Sequence, residues 1–318
     1  MRTDMKKGTL TYTILSIMTI AVLIFSSGCG SNSAREEGKN ASGETRTIQH
    51  ELGSTEVKGD PKKIVVLEFS FLDSLTALGV TPVGVADDKK PQLIEKLAGK
   101  KIDYTSVGTR AEPNIEIISS LQPDLIIADA ERHKGIYEQL KKVAPTIELK
   151  SKESTYKENI DAFKTISDAL NKKEASDKRL KEHDEVLGKI KADLPKDETR
   201  KVMVGVARTD SFNIHTSSSY DGEILANLGL KNSVESPEAY KDINLEQLSE
   251  LNPDILFVSS NEGKTIVDDW KQNPIWKDLK AVKNNQVYDV DRDLWTRFRG
   301  VMSSETISKD VTEKVYSK

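Results

Sequence analysis

Cysteine is almost absent: Cys29 is the only one in 318 residues. A disulfide within the chain and a thiolate cluster for zinc or iron–sulfur are therefore excluded. Histidine is sparse too, and His50, His133, His183 and His215 stand far apart without metal-ligand spacing. Positive charge is not in excess. The formal net charge is −4, so the chain lacks the basic field that a nucleic-acid partner requires. No Gly-x-Ser-x-Gly, Gly-x-Gly-x-x-Gly or Walker loop occurs, which removes the common hydrolase, dinucleotide and nucleotide sites. Ser217-Ser218-Ser219 lies beside His215, but it lacks a third triad member and the strand–turn–helix setting of a nucleophile. Asp87 and Asp88 are adjacent, so their side chains point apart. An enzyme is not expected, and neither is a resident cofactor.

What is present begins with a leader. Arg2, Lys6 and Lys7 precede the uncharged run Gly8–Gly28, a basic start and apolar stretch that fit a secretory signal. An uncleaved membrane anchor is the rival, since about 20 apolar residues span a bilayer. The segment Phe25-Ser-Ser-Gly-Cys29-Gly resembles a lipobox, in which the cysteine takes a diacylglycerol and becomes the new N-terminus. Ser26 departs from the leucine usual there. The expected layout is a signal over 1–28, then a lipidated Cys29 with a polar tether over 29–47. Either reading places the remainder outside the cytoplasmic membrane.

The body of the chain contains an echo. Asn114-Ile-Glu-Ile-Ile-Ser-Ser-Leu-Gln-Pro-Asp-Leu-Ile-Ile-Ala128 matches Asn244-Leu-Glu-Gln-Leu-Ser-Glu-Leu-Asn-Pro-Asp-Ile-Leu-Phe-Val258 at a constant offset. Each copy reads as a short amphipathic helix, a Pro-Asp turn and a strand buried on both faces. Leu75–Val80 and Leu225–Leu230 form a weaker second pair, each a helix ending at glycine. Further strands are expected at 64–67, 83–85, 202–206 and 287–290. Their alternation with helices is the βα order of mostly parallel sheets. The fold class is therefore α/β: two Rossmann-like lobes over 48–153 and 195–318. The polar stretch 154–194 repeats apolar residues at helical spacing and reads as one long rigid helix between them, with a break near Asn171; unbroken, it would reach roughly 60 Å. Such a connector limits lobe closure and leaves adjustment to loops such as 209–221.

At residues 47–318 the chain resembles the class of ABC-transporter binding proteins with two α/β lobes joined by one helix. Members of that class serve ferric siderophores, cobalamin, haem and some metals. Phe69–Asp88, Val107-Gly-Thr-Arg110 and both Leu-x-Pro-Asp segments are similar to its ferric-citrate branch. The resemblance implies a monomeric carrier that hands an anionic ferric chelate, of citrate or citrate-hydroxamate type, to a membrane permease driven by a cytoplasmic ATPase. Haem, cobalamin and other iron-hydroxamate carriers of the same fold are the alternatives.

Arginine is scarce against lysine, yet six of ten in the mature chain follow strands or sit in loops: Arg110, Arg132, Arg208, Arg292, Arg297 and Arg299. Ligands of open α/β sheets bind beyond the carboxyl ends of the strands. A guanidinium offers a permanently charged fork that matches carboxylates and does not compete for iron held by its chelator. The resemblance places Arg110, Arg132, His215, Arg292, Arg297 and Arg299 at the pocket; Arg208 is added by its location. Arg292 has Asp291 and Asp293 beside it as rival partners. Trp295 and Tyr220 are candidates to cover apolar parts of the chelate. The resemblance also implies that Glu116 and Glu246, at equal places in the echo, dock the two permease subunits. Their plainer role is to stabilise the start of a helix.

Overall fold

A computed structural model describes residues 43–260 and 263–316. The leader, Cys29 and the first part of the tether lie outside the described residues. The tether also ends earlier than expected, because Thr45 already begins a strand.

The N-terminal lobe opens with a hairpin of β1 (Thr45–His50) and β2 (Gly53–Lys58). Its main sheet has β3 (Ile64–Val66), β4 (Gly84–Val85), β5 (Thr105–Ser106), β6 (Leu125–Asp129) and β7 (Thr146–Leu149), all parallel, in the order β5-β4-β3-β6-β7. Strand β6 is buried throughout, as its unbroken apolar run requires in a sheet covered on both faces. Helices α1 (Phe69–Ala77), α2 (Pro91–Ala98), α3 (Ile115–Ser120) and α4 (Tyr137–Val143) supply the cover.

The connector is not one helix. Two helices, α5 (Tyr156–Ala169) and α6 (Lys173–Asp193), meet at Asn171, whose φ of 55° breaks the helical path. They fold back on each other: Tyr156 at the start of α5 bonds His183 in the middle of α6 at 2.6 Å. Helix α5 belongs to the N-terminal lobe, where Phe163 and Ile166 enter the core. Only α6 joins the lobes, with Leu180 against the N-terminal core and Ile190 in the C-terminal one. Its 21 residues span roughly 32 Å at 1.5 Å per residue, about half the reach of an unbroken helix.

The C-terminal lobe holds β8 (Lys201–Ala207), β9 (Phe212–His215), β10 (Lys231–Asn232), β11 (Tyr240–Ile243), β12 (Ile255–Ser260) and β13 (Val287–Asp291). Strands β8, β10, β12 and β13 are parallel, whereas β9 and β11 run antiparallel at one edge. Residues 209–221, expected as a mobile loop, include β9 and the start of α7 (Tyr220–Asn227), capped by Ser219. Helices α8 (Leu245–Leu251), α9 (Ile266–Trp270), α10 (Pro274–Asp278) and α11 (Lys280–Lys283) follow, with α12 (Val301–Val315) at the end.

The lobe boundary is not clean in sequence. Phe298 and Val301 pack in the N-terminal core, while Ile307 and Val311 of the same helix α12 pack in the C-terminal one. Buried Asp73 of α1 accepts hydrogen bonds from Met302 N, Ser303 N and Ser303 Oγ, satisfying donors that a helix start leaves open. Gly300 is required beside it: its φ is 138°, and a side chain there would run into the Asp73 carboxylate.

Candidate ligand-binding site

The site lies where the carboxyl ends of both sheets face each other. In the N-terminal lobe each strand delivers one polar element. Glu68 follows β3, Asp88 follows β4, Arg110 follows β5, Arg132 follows β6 and Lys152 follows β7. In the other lobe Arg208 follows β8, His215 ends β9, and Arg292 follows β13. Strand ends place all but His215 on one crevice, as open α/β sheets do; β9 runs antiparallel to β8 and sets His215 opposite Val204 rather than at the carboxyl end of β8, yet it lines the same crevice. The crevice has a volume of about 310 Å³ and is lined by Arg110, Arg132, Arg208, Arg292, Arg297, Arg299 and His215, together with Lys152, Asn213 and Tyr240. The six arginines and the one histidine expected there are thus brought together.

One expected member is not. Trp295 is 1% exposed. Its indole lies against Phe257 and its Nε1 donates to Asp310 at 2.7 Å. A single π-helical turn, Asp293–Arg297, explains the reversal: it turns Trp295 into the lobe core while Thr296 and Arg297 line the crevice. Tyr220 is buried as well, and its hydroxyl bonds Gly300 N and O. Both aromatics are structural.

The arginines differ in how they are held. Arg110 donates to Asp88 through Nε and Nη2 at 3.0 and 2.8 Å, stands over the Phe69 ring at 4.1 Å, and reaches Glu68 at 3.4 Å. Burial works against the Asp88 charge, but the bonds from Arg110 outweigh it and hold the carboxyl below its usual range. Arg132 Nε lies 2.6 Å from Glu68. Glu68 is 3% exposed, and burial raises its carboxyl although both arginines pull it down.

The C-terminal wall is different. Arg297 reaches Asp293 at 3.4 Å. Arg299 donates to Ser151 O, across the lobes, and to the Tyr240 hydroxyl, each at 3.1 Å. Arg292 does not take its neighbours as partners: Asp291 goes to Lys96 of α2, and Asp293 is shared by Lys96 and Arg297. Its buried Nε has no hydrogen-bond partner. Burial, then Arg297 and Arg208, push the Arg292 guanidinium below its usual value. A buried donor among like charges is the arrangement an anion would relieve.

Several positioning residues carry no sequence signal. Asp129, fully buried, accepts from the backbone N of Glu131, Arg132, Ser151 and Lys152, fixing both loops that carry Arg132 and Lys152. His133 accepts from Asp129 N through Nδ1 and bonds Arg110 O through Nε2, each at 2.8 Å. Burial lowers its imidazole pKa, so it serves neutral, Nε2–H donating. His215 lies edge-on to Tyr240 at 4.8 Å and is hydrogen-bonded through Nδ1 to Asp221. Among the described residues no three His, Cys, Asp or Glu side chains form a metal-holding group.

The periplasmic binding protein family model matches residues 64–294. This chain belongs to that family. The Fe(3+)-citrate-binding protein YfmC of Bacillus subtilis (strain 168) is 61% identical over 305 residues, covering 96% of this chain and 97% of that one. The Fe(3+) dicitrate-binding periplasmic protein FecB of Escherichia coli (strain K12) is 39% identical, covering 85% and 90%. Among solved structures, Staphylococcus aureus SirA complexed with staphyloferrin B superposes with a TM-score of 0.74 at 32% identity, covering 85% of this chain and 98% of that one. The family consists of binding proteins; YfmC and FecB are named for the ferric citrate they bind, and SirA is seen in complex with staphyloferrin B.

Proposed function

We propose that this protein is the extracytoplasmic substrate-binding component of an ABC iron importer, with ferric citrate or a citrate-hydroxamate chelate as its ligand. The observation that carries the reading is the C-terminal wall, where Arg208, Arg292 and Arg299 face the crevice with no carboxylate at ion-pair distance among the described residues. A fully chelated ferric ion offers the protein a shell of carboxylate oxygens, and guanidinium forks read that shell without competing for the metal. The likeness to YfmC and FecB supports the citrate class. Arg110, Arg132, Arg208, His215, Arg292, Arg297 and Arg299 contact the chelate in this reading. The protein itself does no chemistry and needs no cofactor.

Glu116 and Glu246 are read as the permease contacts, one per lobe. Each is exposed in the first turn of its helix, capped by Asn114 or Asn244. A groove between α3 and α4, lined by Ile115, Ser119 and Val143, runs beside Glu116. Exposed charges of this kind steer and orient docking more than they add affinity. Cys29 is read as the lipid attachment that keeps the protein, a monomer, at the membrane.

The test is a titration with ferric citrate, a ferric citrate-hydroxamate, a ferric trihydroxamate, haem and cobalamin, repeated with Arg292→Gln and Arg299→Gln. Saturable binding of a citrate-type chelate is expected, weakened at least about tenfold in each variant, since a charge-assisted hydrogen bond contributes about 1.5–3 kcal/mol. Preference for haem or cobalamin, or binding that ignores both variants, overturns the reading.

A further inference from the structure

The crevice is polarised, and one buried carboxylate makes it so. On the N-terminal wall every cation is matched. Arg110 has Asp88 and Glu68, Arg132 has Glu68, and Lys152 has Glu131 and Glu153. On the C-terminal wall four arginines face the same space, and Asp293, itself shared with Lys96, is the single carboxylate at ion-pair distance among the described residues. The neutralising groups also differ in kind. Glu131 and Glu153 are exposed on the rim, where solvent screens them. Glu68 lies beneath Arg110 and Arg132 at 3% exposure, where a charge acts at low effective dielectric.

A wall that only had to hold two arginines in place could use neutral acceptors. Arg110 is already gripped twice by Asp88 and stacked on Phe69, and Asp129 fixes the backbone of Arg132. For Arg110 a further, buried negative charge is therefore not needed for posture; for Arg132 Glu68 is the one carboxylate at ion-pair distance of the guanidinium, among the described residues. It changes the potential that a ligand meets.

We infer that Glu68 is a specificity-determining residue: it cancels positive charge beneath the N-terminal wall, so the C-terminal arginines take the free carboxylates of the chelate and the net negative charge the crevice accepts is limited. This rests on the reading that the ligand is an anionic ferric chelate. With Glu68 in place, the N-terminal arginines still donate hydrogen bonds but add little net field. A chelate then binds with its more charged side toward Arg208 and Arg292, since Glu68 and Asp221 also act on Arg299, and one with too many free carboxylates meets repulsion from Glu68.

The experiment measures the affinity of the full chain for ferric citrate and for a ferric citrate-hydroxamate of lower net negative charge, across a salt series, in wild type, Glu68→Gln and Glu68→Asp. Glu68→Gln removes the charge and keeps one acceptor oxygen where Arg110 and Arg132 now meet one each. It is expected to tighten ferric citrate by about tenfold at low salt, the scale of one charge at a partly desolvated site. The less charged chelate should gain less, and the salt dependence for ferric citrate should steepen. Glu68→Asp keeps the charge with a shorter reach and is expected to retain the wild-type ranking. Loss or gain of the same factor for both chelates, with an unchanged salt dependence, makes Glu68 a positioning residue and overturns the inference. So does a ranking that shifts in Glu68→Asp as it does in Glu68→Gln. Failure of wild type to bind either chelate is a different result: it overturns the proposed function, and the charge rule with it.

Discussion

Replacing Glu148 by glutamine is expected to stabilise the protein at pH 8 and not at pH 5. Glu148 lies on β7 with no exposure, and neither carboxyl oxygen has a hydrogen-bond partner. Burial, followed by the like charge of Asp129 on the next strand, raises its pKa to about 8 from an ordinary 4.5. The folded state therefore holds a proton that the unfolded chain releases above pH 4.5. Stability from this group is fully present below pH 4.5 and is lost as the pH rises toward 8. At 1.36 kcal/mol per pH unit, the interval from 4.5 to about 8 corresponds to at most about 4–5 kcal/mol. Glutamine escapes this loss but buries an amide whose donors also lack partners, at a cost of about 1–3 kcal/mol. The net gain at pH 8 is then at most about 1–4 kcal/mol, and at pH 5 the variant is equal to wild type or weaker. Thermal unfolding at the two pH values reads the difference directly, at about 2–4 °C per kcal/mol for a chain of this size class. Asp73, also raised by burial, to about 6, is common to both proteins and cancels. A melting difference that is the same at pH 5 and pH 8 would refute the reasoning, because an uncharged packing effect has no such slope.

Two further expectations separate structure from function. Trp295→Phe should keep the affinity for ferric citrate within about twofold while lowering thermal stability, because it removes the bond to Asp310 in the lobe core at about 1–2 kcal/mol; a tenfold loss of binding with unchanged melting would return Trp295 to the site. Glu116→Lys and Glu246→Lys should leave chelate affinity unchanged and reduce iron uptake in cells, with the double variant the most impaired; normal uptake by the double variant would remove the docking role.

The lobes were legible because local chemistry set them. The Asn114–Ala128 and Asn244–Val258 segments each form the capped helix and buried strand their pattern predicts. The short antiparallel edge of β9 and β11 carried no comparable signal, since half-buried strands beside a binding crevice lack a clean alternation. The connector breaks near Asn171 as expected, but its halves fold back on each other instead of continuing as one strut. Residues on both sides of Asn171 have helical spacing, and only its left-handed backbone turns one expected strut into a hairpin with α6 alone crossing.

By itself, the sequence determined that the chain has two α/β lobes, and it picked out the six arginines and one histidine that line the crevice. Strand ends are readable from hydrophobic pattern, and in this architecture strand ends are where ligands bind. The tertiary structure alone decided which residues stand behind them. Trp295 turns inward because one wide helical turn sets its direction, which the residue string does not encode. Asp73 joins α12 across lobes that lie more than 200 positions apart in the chain. Glu68, Asp129 and His133 shape the crevice from beneath through contacts between strands distant in sequence. Partners of that kind are chosen by packing in three dimensions, where a buried charge must find its counter-charge wherever the chain brings one.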